Sequence, residues 1–137
     1  MSFDPATEGW EQTEAWGLPE FLRPMWLRTD ATGFSLGFQP NAALNNGRGV
    51  IHGGILATYM DHSLGRTVRE AVGRVPIATI QLDLHYLAPG DMNLFVEVRG
   101  DITRQTRSVV FIRGMLTQGG KPVLAASGIW KVLSPKG

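Results

Sequence analysis

Only one stretch of this sequence reads as a long helix. From His52-Gly53-Gly54 to Val72 apolar residues return with a helical period for about five turns, until Gly73 and Pro76 stop it. Everything after it reads as strand. Ile80, Leu82, Leu84 and Tyr86 alternate with Thr79, Gln81, Asp83 and His85, which predicts a strand with one buried and one polar face. Met92 to Ile102 and Ser108 to Thr117 follow, joined across Thr103 to Arg107, and Gly119-Gly120 predicts a tight hairpin into Pro122 to Leu133. Thr32 to Gln39 supplies a further strand before the helix. One long helix with about five largely antiparallel strands is an α+β domain, and wrapping the sheet around the helix buries both.

The remaining features bound the chain's chemistry. Its 137 residues are one domain's worth, read here as an N-terminal cover segment over residues 1–30 and the folded domain proper over 31–137. Trp10, Trp16 and Trp26 lie in that cover, where Pro19 and Pro24 leave room only for short helical pieces around Leu18 to Leu22. With 13 Lys+Arg against 12 Asp+Glu there is no overall field for nucleic acid. The absence of cysteine removes disulfides, thiolate metal sites and a cysteine nucleophile. His52, His62 and His85 show no metal-ligand spacing, no apolar run approaches a membrane span, and the acidic N-terminus is unlike a signal peptide, so a cytoplasmic protein is expected. Glycine is in excess, 17 residues against a usual ~7%, which points to turns and close backbone approaches.

Asp61 is the most informative residue. On a helical projection Leu56, Ala57, Met60, Leu64, Thr67, Val68, Ala71 and Val72 share one side, His62, Arg66, Arg69 and Glu70 lie opposite, and Asp61 falls between Val68 and Val72. An ionised carboxylate there is desolvated, paired or in a cavity, unless the helix is rotated so that its edge is solvated or an arginine caps it. Gly65, one turn on, leaves room beside it. At the helix start Gly53 and Gly54 let an oxygen approach unpaired N–H groups and the positive end of the helix, although a plain loop-to-helix turn has the same sequence. His52 reads as an orienting or capping residue. Nine residues separate His52 from Asp61, which is about 13 Å along the axis and about half a turn round it. If both serve one site, two subunits must share it.

These residues carry a resemblance. The stretch Asn46-Gly47-Arg48-Gly49-Val50-Ile51-His52-Gly53-Gly54, then Asp61, then Thr79-Ile80-Gln81-Leu82 to Tyr86-Leu87-Ala88-Pro89, resembles the hotdog-fold acyl-CoA thioesterases of the phenylacetate-degradation type over roughly residues 32–133. Its most specific part is N-x-x-G-x-x-H-G-G followed by Asp seven residues after the second Gly. The resemblance implies a hotdog fold and hydrolysis of an acyl-CoA thioester in a homodimer, arranged as a dimer of dimers, with no cofactor beyond the coenzyme A of the substrate. It implies Asp61 as general base or nucleophile from one subunit and the Gly53 N–H as polariser of the thioester carbonyl from the other. Asn46 would orient water or the leaving sulfur, with His52 supporting that loop. Thr79 matches a Ser/Thr beside the carboxylate, although strict alternation puts it on the polar face of its strand. Thr106-Arg107-Ser108 matches the segment that meets the nucleotide end of coenzyme A, and Arg107 and Arg104 suit phosphates chemically. Ala88 departs from the pattern, since relatives often carry a basic residue there. Two alternatives share the fold: an acyl-thioester hydratase or dehydratase, and a non-catalytic acyl-CoA-binding domain.

Overall fold

The helical period and its glycine stop are realised almost to the residue. In a computed structural model, which describes residues 3–133, helix α1 runs Gly53–Ala71. The first two residues of the N-terminal segment and the last four of the domain lie outside the described residues. The strands are β1 (Glu11–Thr13), β2 (Met25–Asp30), β3 (Gly33–Phe38), β4 (Val50–Ile51), β5 (Ile77–Tyr86), β6 (Gly90–Asp91), β7 (Val96–Gln105), β8 (Val109–Gln118) and β9 (Lys121–Val132). Seven of them form one antiparallel sheet in the order β1-β2-β3-β7-β8-β9-β5, while β4 pairs with β6. The sheet wraps the helix. Leu56, Met60, Leu64 and Val68 are buried against Val98, Val110, Ile112, Leu116, Leu124 and Trp130 from its inner face. This is the hotdog fold, the α+β architecture expected.

Two glycines make that wrap possible. Gly100 on β7 pairs with Gly114 on β8 directly beneath the helix, and a Cβ on either would come within 2.8 or 2.7 Å of Leu64 Cδ2. The glycine excess is therefore used partly for helix-to-sheet approach. Gly114→Ala is expected to cost ~1–3 kcal/mol by overpacking, because Leu64 and Met60 are fully buried and have nowhere to move. A lower urea midpoint with unchanged m-value would report it.

The structure changes three expectations. Residues 1–30 are not merely a cover: β1 and β2 extend the sheet, and Trp10, Leu18, Leu22 and Met25 are buried in the core. Met25–Asp30 forms a hairpin with β3 across Ala31-Thr32, and β3 in turn pairs with β7 about sixty residues on, which brings the segment onto the sheet. The strand expected from Met92 starts at Val96, because Asp91 accepts the Asn93 N–H and turns the chain first. Finally, the buried face of α1 is rotated relative to the projection. Tyr59 and Ser63 are fully buried, Tyr59 against Phe38 with ring centroids 4.4 Å apart, whereas Ala57 is only half-buried. Arg66, placed opposite the core, has a side chain only 10% exposed, because the N-terminal segment folds over it.

Candidate active site

Rotation of the helix leaves Asp61 at the margin of the core, facing edge strand β5. There the alternation breaks. Thr79 pairs with Trp130 and Gln81 with Ile129, so Ile80 is an extra, unpaired residue in the strand. Ile77 and Leu82, an odd number of residues apart, consequently both pack on the core, while Ile80 is 55% exposed. Thr79, two residues from Ile77, shares the inner face. Its hydroxyl donates a 2.9 Å hydrogen bond to Asp61 Oδ1. The polar-face reading of Thr79 is thus corrected by the bulge, which re-aims the side chain at the carboxylate.

Asp61 is half-buried and accepts no other hydrogen bond or ion pair among the described residues, so no arginine caps it. It lines a cleft of about 330 Å³ together with Thr79, Gly65, Ile77, Trp130 and Trp16. His62 lines the same cleft. Burial lowers its pKa below the ordinary histidine value, Arg66 adding to the effect, so the ring is uncharged near neutrality and leaves Asp61 without a cationic partner. A carboxylate held through one oxygen by a hydroxyl, with the other oxygen free, can take a proton or attack a carbon.

The helix start builds a second cleft. Gly53 and Gly54 open the first turn, and their N–H groups have no acceptor among the described residues. Gly53, Tyr86, Leu87, Ala88 and Pro89 help line a space of about 380 Å³, where Ala88 contributes apolar wall. Sequence reasoning missed Tyr86 here. Its hydroxyl donates to the Gly53 carbonyl oxygen at 2.6 Å, and a Cβ on Gly53 would lie 3.3 Å from its ring. The Asn45–Gly49 loop folds back on β4: Asn46 N–H donates to the Val50 carbonyl oxygen, and Asn46 Oδ1 accepts the Arg48 N–H, leaving its amide nitrogen unengaged. His52 makes no side-chain cap. Its backbone does the work instead, donating to the Leu44 carbonyl oxygen and accepting from Ile55 and Leu56.

The two clefts have no residue in common. Asp61 and Thr79 are brought together, whereas Gly53 lines the other cleft, preceded by the loop that carries Asn46 and His52, so Asp61 and Gly53 are kept apart on one chain, as the helical spacing requires. Thr106-Arg107-Ser108 forms the β7–β8 turn at the Thr79 end of the sheet, where Val110 pairs with Trp130 and Trp130 with Thr79. Thr106 is spent on the turn, its hydroxyl bonding both the N–H and the carbonyl oxygen of Val109. Arg104 and Arg107 are exposed and make no ion pair among the described residues.

Residues 48–125, more than half of the chain, match the family model of the thioesterase superfamily. The chain belongs to the thioesterase superfamily. Among solved structures, this thioesterase-superfamily chain is similar to a phenylacetic acid degradation-related protein of Ralstonia eutropha, with 24% identity over 77% of this chain and 83% of that one and a TM-score of 0.71. It is also similar to a Bacillus halodurans protein solved with CoA, at 25% identity, 80% and 74% coverage and a TM-score of 0.70. Zebra fish thioesterase superfamily member 2 shares the fold at 17% identity, covering 88% and 89% with a TM-score of 0.76. Among curated proteins no relative matches the chain. No group of side chains among the described residues is arranged to hold a metal ion, and no described helix is long and apolar enough to cross a membrane.

Proposed function

We propose that this thioesterase-superfamily protein hydrolyses an acyl-CoA thioester to the free acid and coenzyme A, at a site shared by two copies of the chain. The observation that carries the reading is Asp61: a half-buried carboxylate oriented by Thr79 and paired with no cation among the described residues. The Gly53 N–H of one copy polarises the carbonyl and holds the oxyanion, while Asp61 of the other removes a proton from water as its oxygen bonds to the carbonyl carbon. The C–S bond then breaks, and the departing thiolate recovers the proton. Attack by Asp61 itself would give the same products through an anhydride. The unengaged amide of Asn46 lies in the loop beside the Gly53 half of the site, suited to orient water or sulfur. The Bacillus halodurans protein solved with CoA supports the leaving group, and Arg107 supplies an exposed guanidinium for its phosphates.

The test is free-thiol release from a panel of acyl-CoAs by the parent chain and by Arg107→Ala. Release from at least one member is expected. The variant should raise KM for that acyl-CoA far more than for the same acyl group on a short pantetheine-like thiol, with kcat little changed, because phosphate contacts contribute uniform binding. Acyl-CoA binding without thiol release would replace hydrolysis by a binding function, and equal KM effects on both substrates would return Arg107 to solvent.

A further inference from the structure

Trp16 is 86% exposed, far more than any other large hydrophobic side chain described, yet the turn that carries it is firmly held. Ala15 to Leu18 is a β-turn closed by the Leu18 N–H on the Ala15 carbonyl oxygen, with Gly17 at φ +81°, a conformation that suits glycine. On one side Arg66 donates to Thr13 Oγ1 and to the Glu14 carbonyl oxygen, at 3.0 and 3.2 Å, and Arg69 and Arg74 pair with the Glu14 carboxylate. On the other, Leu18 is buried and its carbonyl oxygen accepts from Arg23 Nε at 2.9 Å. An anchored turn thus places a solvent-facing indole on the cleft that contains Asp61 and Thr79.

The apolar part of the cleft is Trp16, Ile77 and Trp130, set among polar groups. Apart from Asp61, its charges are engaged locally: Glu14 with Arg69 and Arg74, and Arg66 with Thr13, the Glu14 backbone and Glu70. Gly65, one turn beyond Asp61, exposes the edge of buried Trp130, whose Nε1 lies 3.6 Å from where a Gly65 Cβ would stand. Ile77 completes that side. An indole edge, a side-chain-free helix turn, the carboxylate and the Trp16 indole therefore line one cleft.

We propose that Trp16 is a specificity-determining residue, the outer wall of the pocket for the acyl group, which would run from Asp61 past Gly65 to the indole. The inference rests on the reading of the site as acyl-CoA hydrolysing, and it selects acyl groups with an apolar body large enough to reach Trp16.

Two measurements test it separately from turnover. In the parent chain, the tryptophan fluorescence lost in Trp16→Phe should be red-shifted and quenchable by acrylamide. A non-hydrolysable benzyl thioether of coenzyme A should shift it to the blue and protect it, whereas coenzyme A alone should not. In turnover, Trp16→Ala, which removes no buried contact, should lower kcat/KM for a bulky acyl-CoA about tenfold, leave acetyl-CoA within about twofold, and be largely rescued by Trp16→Phe. An equal loss for both acyl groups, or no loss, overturns the assignment. So does a Trp16 already shielded in the free protein, which would mean that a partner copy covers it. Protection by the thioether with no thiol release from any acyl-CoA would refute hydrolysis while supporting the acyl pocket; neither protection nor release would overturn both.

Discussion

Asp61→Asn chains are expected to fold normally and to lose at least ~10²-fold in kcat for thioester hydrolysis, the usual scale for removing a general base. The substitution is close to isosteric, and the amide oxygen can still accept the Thr79 hydroxyl, so the geometry at 2.9 Å should survive. What disappears is the negative charge and the proton-accepting oxygen. No described cation pairs with Asp61, so no partner is orphaned by neutralising it, and the melting temperature should be unchanged or slightly higher. Unchanged kcat would remove Asp61 from the chemistry. A large fall in melting temperature with lost activity would instead assign the carboxylate a structural pairing.

Mixed assemblies should recover activity that neither parent variant has. Asp61→Asn damages one half of the proposed site and Asn46→Ala, in the loop that leads to Gly53, the other; Asp61 and Gly53 line separate clefts on each chain. Refolding the two variants together in equal amounts gives about half mixed dimers, each with one doubly damaged site and one intact site, by the symmetry of a two-fold interface. Roughly a quarter of parental activity should return if pairing is random and sites are independent. The comparison is with the sum of the two variants assayed apart. If mixed dimers are confirmed by mass and activity stays at that sum, Asn46 and Asp61 act within one chain, and the shared site is refuted.

The helix and the C-terminal hairpins were legible because their signals are local. A 3.6-residue apolar period bounded by Gly53-Gly54 and Gly73 specifies α1, and paired glycines at Gly119-Gly120, with φ of +57° and +80°, specify the β8–β9 turn. The separation of Gly53 from Asp61 also follows from the sequence, since helical rise and rotation are the same wherever the helix is placed.

Orientation and pairing are different in kind. Thr79 meets Asp61 only because β5 takes an extra residue at Ile80 against β9, a register set by the packing of Ile77 below it and Leu82 and Leu84 above it. Period-two reasoning cannot locate such a bulge, because both registers leave the same residues alternating. The N-terminal thirty residues likewise read as irregular. Their strands are short, their prolines and tryptophans carry no period, and their place on the sheet depends on partners elsewhere: β7 for the β3 strand with which Met25–Asp30 makes its hairpin, and the arginines of α1 and Arg74 for Thr13 and Glu14. Sequence alone therefore determined the helix, its carboxylate and the separation of that carboxylate from the helix start. The tertiary structure decided which hydroxyl faces that carboxylate and which tryptophan stands over its cleft, because those contacts join residues whose meeting depends on register and long-range packing rather than on local periodicity.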